Sequence, residues 1–168
     1  MRTYLIVDAG LRTKVRIIYD LDQLDVPVRS LVRPDKAEEL REVAPYLIDM
    51  TLPESAWDDR AQVPEFHIDF IANHWDQGTG IIVRTSADMD AVWTHFHQFV
   101  RVQVEETQEW LFFRFWDPRT APTYFVSINT QPEKVAKWHK LQTQAQIHQI
   151  IIPAPNNCLL YTSDAADE

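Results

Sequence analysis

The sequence predicts a single α/β domain: a mixed β-sheet that includes an antiparallel hairpin, with helices packed on both faces. Three observations point there. Short apolar runs rich in β-branched residues alternate with segments of helical apolar spacing, from "TYLIVDA" (3–9) to "QIHQIIIP" (146–153). Two further runs, "VRVQV" (100–104) and "EWLFFRFW" (109–116), are separated by four polar residues, a hairpin spacing that excludes a purely parallel sheet. A length of 168 residues supports one core rather than two.

Taken in order, residues 3–9 suit a buried strand that stops at Gly10. "LRTKVRIIYDL" then spaces Leu11, Val15, Ile18 and Leu21 as one helical face, with Arg12, Lys14 and Arg16 opposite. "VRSLVR" (28–33) is a second strand closed by Pro34, "DKAEELREV" (35–43) has the charge pattern of a solvated helix, and "PYLIDM" (45–50) is a third strand. Pro53 and Pro64 bracket a polar connection containing Trp57. The helix that follows starts at Pro64, where a first turn tolerates proline, and is expected to turn Ile68, Ile71 and Trp75 to one side.

"TGIIVRTS" (79–86) is a compact strand introduced by Gly78 and Gly80. Ser86 is the expected N-cap of the next helix, with Asp88 and Asp90 in its first turn and Met89, Val92, Trp93, Phe96 and Phe99 as its apolar stripe. In the hairpin, alternation assigns Leu111, Phe113 and Phe115 to one face and Phe112, Arg114 and Trp116 to the other. Both faces are apolar, as in a central strand covered on both sides. "TQPE" (130–133) reads as a capping box with Thr130 as cap and Glu133 as its partner. It opens a helix with Val135, Trp138 and Leu141 inward, before the last strand.

Composition narrows the function. Six Trp, eight Phe and five Tyr promise a core dominated by aromatic area. A net charge of -9 with scattered Lys and Arg argues against nucleic acid as a partner. No apolar run approaches the roughly 18 residues of a membrane helix, and the N-terminus reads as a strand rather than a secretory signal, so no membrane partner and a cytoplasmic location are expected. Gly10, Gly78 and Gly80 cannot form a dinucleotide or phosphate-cradling loop, and no G-x-S-x-G elbow exists. His67 with His74, and His95 with His97, lack the spacing of a zinc helix. They read as partly exposed residues flanking aromatic cores, so neither a metal nor a cofactor is expected. Carboxylate pairs occur at Asp20 and Asp22, Asp58 and Asp59, and Asp88 and Asp90, the last explained by helix-start electrostatics. No catalytic residues are assigned.

The chemistry-rich stretch is "LFFRFWDPRT" (111–120). Asp117-Pro118 ends a strand by removing a ladder donor, and Arg114 with Asp117 is expected to form a charge-assisted pairing at the sheet's end, or the guanidinium a bidentate hold on backbone carbonyls, in a cluster that Arg84 is placed to join. A structural polar network is the favoured reading and a functional anion site the alternative. Trp57, Phe66, Tyr124 and Phe125 lie in segments that do not force burial, and are candidate partner-binding aromatics.

"TYLIVDAG", "RSLVRP" before "ELREVAPYLIDM", "GIIVRTSADMDAVWTHFHQFVRV" and above all F-R-F-W-D-P-R, residues 113–119, together resemble the N-terminal lobe of type VI secretion effector adaptors, long catalogued as a domain of unknown function. The resemblance runs from about Thr3 to Ile152. It implies a non-enzymatic bacterial chaperone that holds a toxin effector, loads it onto the spike-tip protein VgrG, and does not stay in the delivered complex. It also implies a second lobe, so the chain reads as a fragment. Its last residues, "CLLYTSDAADE" (158–168), resemble a translated sequencing adapter. The expected division is therefore an adaptor lobe over 1–155 and a non-native or disordered tail over 156–168, which contains the only cysteine. Two other classes remain: a small-molecule sensor with a closed apolar cavity, and an enzyme built on an anion site at Arg84, Arg114, Asp117 and Arg119.

Overall fold

The computed structural model describes residues 1–14, 20–154 and 157–162. Strand β1 (Arg2–Asp8) is followed by the short helix α1 (Ala9–Lys14), then β2 (Val28–Ser30) and β3 (Pro45–Asp49), helix α2 (Glu65–Asn73), β4 (Gly80–Thr85) and helix α3 (Met89–His97). A ribbon of β5 (Arg101–Gln103) and β6 (Trp110–Phe112) comes next, then helices α4 (Ala121–Ile128) and α5 (Pro132–His139), and finally β7 (Ile147–Ala154) and β8 (Asn157–Thr162). The predicted helix over 11–21 begins as expected in α1, while Val15 and Ile18 lie outside the described residues.

The six-stranded sheet has the order β2-β3-β1-β4-β7-β8, and every pairing among the described residues is antiparallel. The first half explains how alternating strands and helices give this result. In the succession β1, α1, β2, β3, α2, β4, each strand–helix–strand unit leaves room for an antiparallel strand between its two strands, a split β-α-β arrangement. β1 lies between β3 and β4, and Tyr4 to Asp8 are all buried, so both faces of the sheet are covered there. Against β1, a Cβ on Gly80 would stand 2.2 Å from the Ile6 carbonyl oxygen, so only glycine fits where these strands cross. The α/β class and the single domain are as the sequence predicts.

Several local expectations are corrected. Residues 35–43 form a short 3-10 turn at Pro34–Lys36 followed by further turns rather than an α-helix, because only Ala37 and Leu40 pack on the body and that stripe is too narrow to hold a regular one. Helix α2 buries Phe66, His67 and Phe70 and leaves Ile68 and Ile71 exposed, so its inner face is set by the aromatics. The cap of α3 is Asp88, whose Oδ1 accepts from the Ala91 amide at 2.9 Å, and not Ser86. Asp88→Ala is expected to cost about 1 kcal/mol in a urea unfolding series, whereas Ser86→Ala stays within about 0.5 kcal/mol. Gln131 stands at the start of α5 without a side-chain capping bond, its Nε2 donating to the Ser127 carbonyl instead, so the capping box at Thr130 does not form. Helix α4 was not foreseen.

The hairpin is the largest difference. It forms its own two-stranded ribbon and not a central strand. The strand ends at Phe112, and residues 113–118 turn into the body. The predicted alternation of faces nevertheless persists through the turn. Phe113 and Phe115 pack on Trp138, with ring centroids at 6.4 and 5.1 Å, while Arg114 and Trp116 go the other way. At the far edge, Asn157–Thr162, expected to be a tail, pairs with β7 from Gln149 to Ala154. Backbone pairing needs only an open edge and a β-prone run, so this strand forms irrespective of the segment's origin.

Candidate functional site

Asp8 ends β1 and its side chain is fully buried. A buried carboxylate needs a cation and donors, and the chain supplies them from 106 residues away. Asp8 Oδ2 accepts from Arg114 Nη2 at 2.6 Å, from Arg114 Nε at 3.1 Å and from Trp116 Nε1 at 2.7 Å. Asp8 Oδ1 accepts from the Leu11 amide at 2.9 Å and so caps α1. One carboxylate thus fastens the start of α1, the central strand and the F-R-F-W-D-P-R segment together.

This changes the expected pairing. Arg114 does not pair with Asp117. Asp117 instead takes Arg119, through Nη2 at 2.5 Å and Nε at 2.8 Å. Burial pushes the Asp117 carboxyl up, but the hydrogen bonds and charge of Arg119, with Arg114 nearby, outweigh it and hold the group below the ordinary carboxylate range. The Asp117 carbonyl accepts from the Thr120 and Ala121 amides, which launches α4, and Pro118 is buried beside the turn at Gly78. Arg84 does not join the cluster. It sits four residues along β4 from the Asp8 end, about 13 Å by strand rise, and donates to Gln149 Oε1 at 3.1 Å. Three of the four charged candidates therefore fall into two separate pairs, Arg119 with Asp117 and Arg114 with Asp8, the last of which sequence reasoning missed. Its signal was an acid closing an apolar strand.

The aromatic candidates divide as well. Phe66 and Phe125 are core residues and are corrected as surface positions. Tyr124 is half-buried, with its hydroxyl accepting from Trp138 Nε1 at 3.1 Å. Trp57 alone of the four is free, at 80 % exposed. The buried aromatics converge on Trp138, which stacks on Phe99 at 4.2 Å and meets Phe96, Phe115 and Phe125.

The histidines are more deeply set than expected. His67, His95 and His139 are buried, and each donates from one ring nitrogen to a carbonyl: Asp49, Trp138 and Ile147 respectively. Burial lowers all three, and His95 falls to about 4, the Trp138 carbonyl opposing the shift and His139 adding to it. Among the described residues, no group of three or more His, Cys, Asp or Glu is placed to hold a metal ion. No helix of the described residues is long and apolar enough to cross a membrane.

The β5–β6 ribbon exposes a contiguous group of apolar side chains. Trp110, Leu111 and Phe112 are 57, 50 and 43 % exposed, and Val102 is exposed opposite Leu111. Three consecutive exposed apolar residues in one strand mean that both faces of the ribbon are open. Trp110 and Phe112 face a groove of about 330 Å³ whose other wall is Leu31 to Arg33, Lys36 and Leu40. His97 and Val100 also line it, and His97 fixes the Leu31 wall by donating to the Leu31 carbonyl at 2.8 Å while stacking on Trp93 at 4.5 Å.

A family model described as "Domain of unknown function (DUF4123)" matches residues 3–146, which take in β1 through α5, the Asp8 cluster and the ribbon. No curated protein and no solved structure matches the chain.

Proposed function

The chain belongs to the DUF4123 family, and on that premise we propose that it is a cytoplasmic effector adaptor: it holds a toxin of the type VI secretion system by protein–protein contact, without catalysis, and hands it to VgrG. One observation carries this reading. The ribbon offers Val102, Trp110, Leu111 and Phe112 to solvent on both of its faces, an arrangement that a stable monomer gains nothing from and a partner covers. The Asp8–Arg114–Trp116 cluster serves the fold that presents the ribbon, and its resemblance to the adaptor motif is in keeping with that role.

The test is co-purification of the chain with the toxin encoded beside its gene, followed by addition of the neighbouring VgrG. The double variant Trp110→Asp, Leu111→Asp is expected to weaken toxin retention by about 30-fold or more, the scale of losing an aromatic hot spot. Its melting temperature should fall by no more than a few degrees, because both side chains are already half-exposed. Full retention by the double variant, or no retention by the parent, counts against the adaptor reading.

A further inference from the structure

The groove beside the ribbon has a polarity of its own. Its lining carries Arg33, Lys36 and Arg101 against the single carboxylate of Glu39, a cationic spot on a chain of net charge -9. The partners of these cations are exposed: Lys36 meets Glu39 at 2.6 Å and Arg33 meets Asp35 at 3.1 Å, and surface pairs of this kind exchange readily for other carboxylates. Arg101 lies over the Trp110 ring at 5.5 Å. It pairs with Phe112 at the base of the ribbon, whereas Glu105, Glu106 and Glu109 crowd the tip. The cationic base of the ribbon therefore borders the groove, while its acidic tip lies outside the lining.

We propose that this groove receives an amphipathic, acidic segment of the partner. Its apolar residues pack between Phe112 and Leu40, its carboxylates lie on Arg33, Lys36 and Arg101, and its acidic end points away from the ribbon tip. The proposal rests on the adaptor reading for the identity of the partner, but its chemistry follows from the groove alone. The wall is preformed by the His97 and Trp93 bonds to Leu31 and Ser30, so little ordering opposes docking.

Two labelled peptides test it, each of about 16 residues with the same apolar positions and with Glu in one and Lys in the other at the remaining sites. In fluorescence anisotropy titrations with the whole chain, the acidic peptide should bind saturably and about tenfold tighter than the basic one, with the difference shrinking in high salt. Arg101→Glu should remove that preference and Phe112→Ala should weaken the acidic peptide about fivefold or more, while Val102→Asp, on the outer face, leaves binding unchanged. Equal affinities, or binding indifferent to Phe112→Ala, overturn the proposal. So does light scattering that finds a dimer abolished by Phe112→Ala, since the groove then takes a second copy. Retention of the toxin separates the two readings. Undiminished retention by Phe112→Ala with Arg101→Glu overturns the groove and leaves the adaptor. A parent chain that prefers the acidic peptide but never holds the toxin supports the groove and removes the adaptor.

Discussion

Arg114→Ala is expected to lower the stability of the fold by about 3 kcal/mol, read in urea unfolding at neutral pH. The reason is the burial of its partner. The Asp8 side chain has no solvent contact, so removing the guanidinium leaves a buried carboxylate with the Trp116 indole and the Leu11 amide as its remaining donors. Loss of one member of a buried pair costs about 3–5 kcal/mol, and the lower end applies because the Arg114 side chain is itself 39 % exposed. For a domain of this size the melting temperature should fall by about 6–12 °C. Arg114→Lys should fall between parent and Ala, since an ammonium does not reproduce two donors held in one plane. In an Asp8→Ala background, Arg114→Ala should add less than about 1 kcal/mol, the coupling that marks the pair as the cause. An unchanged melting temperature together with loss of toxin retention would move the motif from scaffold to binding surface.

Acidification from pH 7.5 to 4.5 is expected to remove about 2–3 kcal/mol of stability through His95 alone. The folded state holds this imidazole neutral, with burial lowering it from 6.5 to about 4, whereas the unfolded chain protonates near 6.5. Between those two values the unfolded state binds the extra proton. The stability conferred by the neutral ring is therefore complete above about 6.5 and is lost progressively as pH falls toward 4. His67 and His139 shift in the same direction and add to the slope. Asp117 acts lower, because a carboxyl held below 3.8 loses its contribution only as pH falls beneath that value, outside the interval measured. His95→Gln keeps a donor for the Trp138 carbonyl without a titrating ring, and its pH dependence should be shallower than the parent's by about 2–3 kcal/mol across the interval. Parallel dependences for parent and variant would remove His95 as the acid-sensitive group.

Much of the fold was legible residue by residue. Tyr4 to Val7, Tyr46 to Ile48 and Ile81 to Val83 announce buried strands because β-branched and aromatic runs of that length have no other economical place. Val92 and Phe96 announce the inner face of α3 by their spacing. The ribbon was legible as a hairpin but not as an exposed one, since "WLFF" (110–113) is apolar throughout and gives alternation no polar member within the strand to mark the solvent side. Phe66 and Ile68 show the same limit, as both are apolar and only packing decided which of them the core kept.

By itself, then, the sequence determined the α/β class, the period of the buried strands and of α3, and that the charged cluster at 113–119 needed partners, while the need of Asp8 for a partner emerged only with the fold. Tertiary structure alone decided that they are partners for each other, that Arg84 goes to Gln149 instead, and that Trp110, Leu111 and Phe112 face water. The physical reason is range. Periodicity and polarity are properties of neighbouring residues, whereas the choice among competing cations and the burial of an apolar side chain depend on which distant stretch of chain arrives beside it.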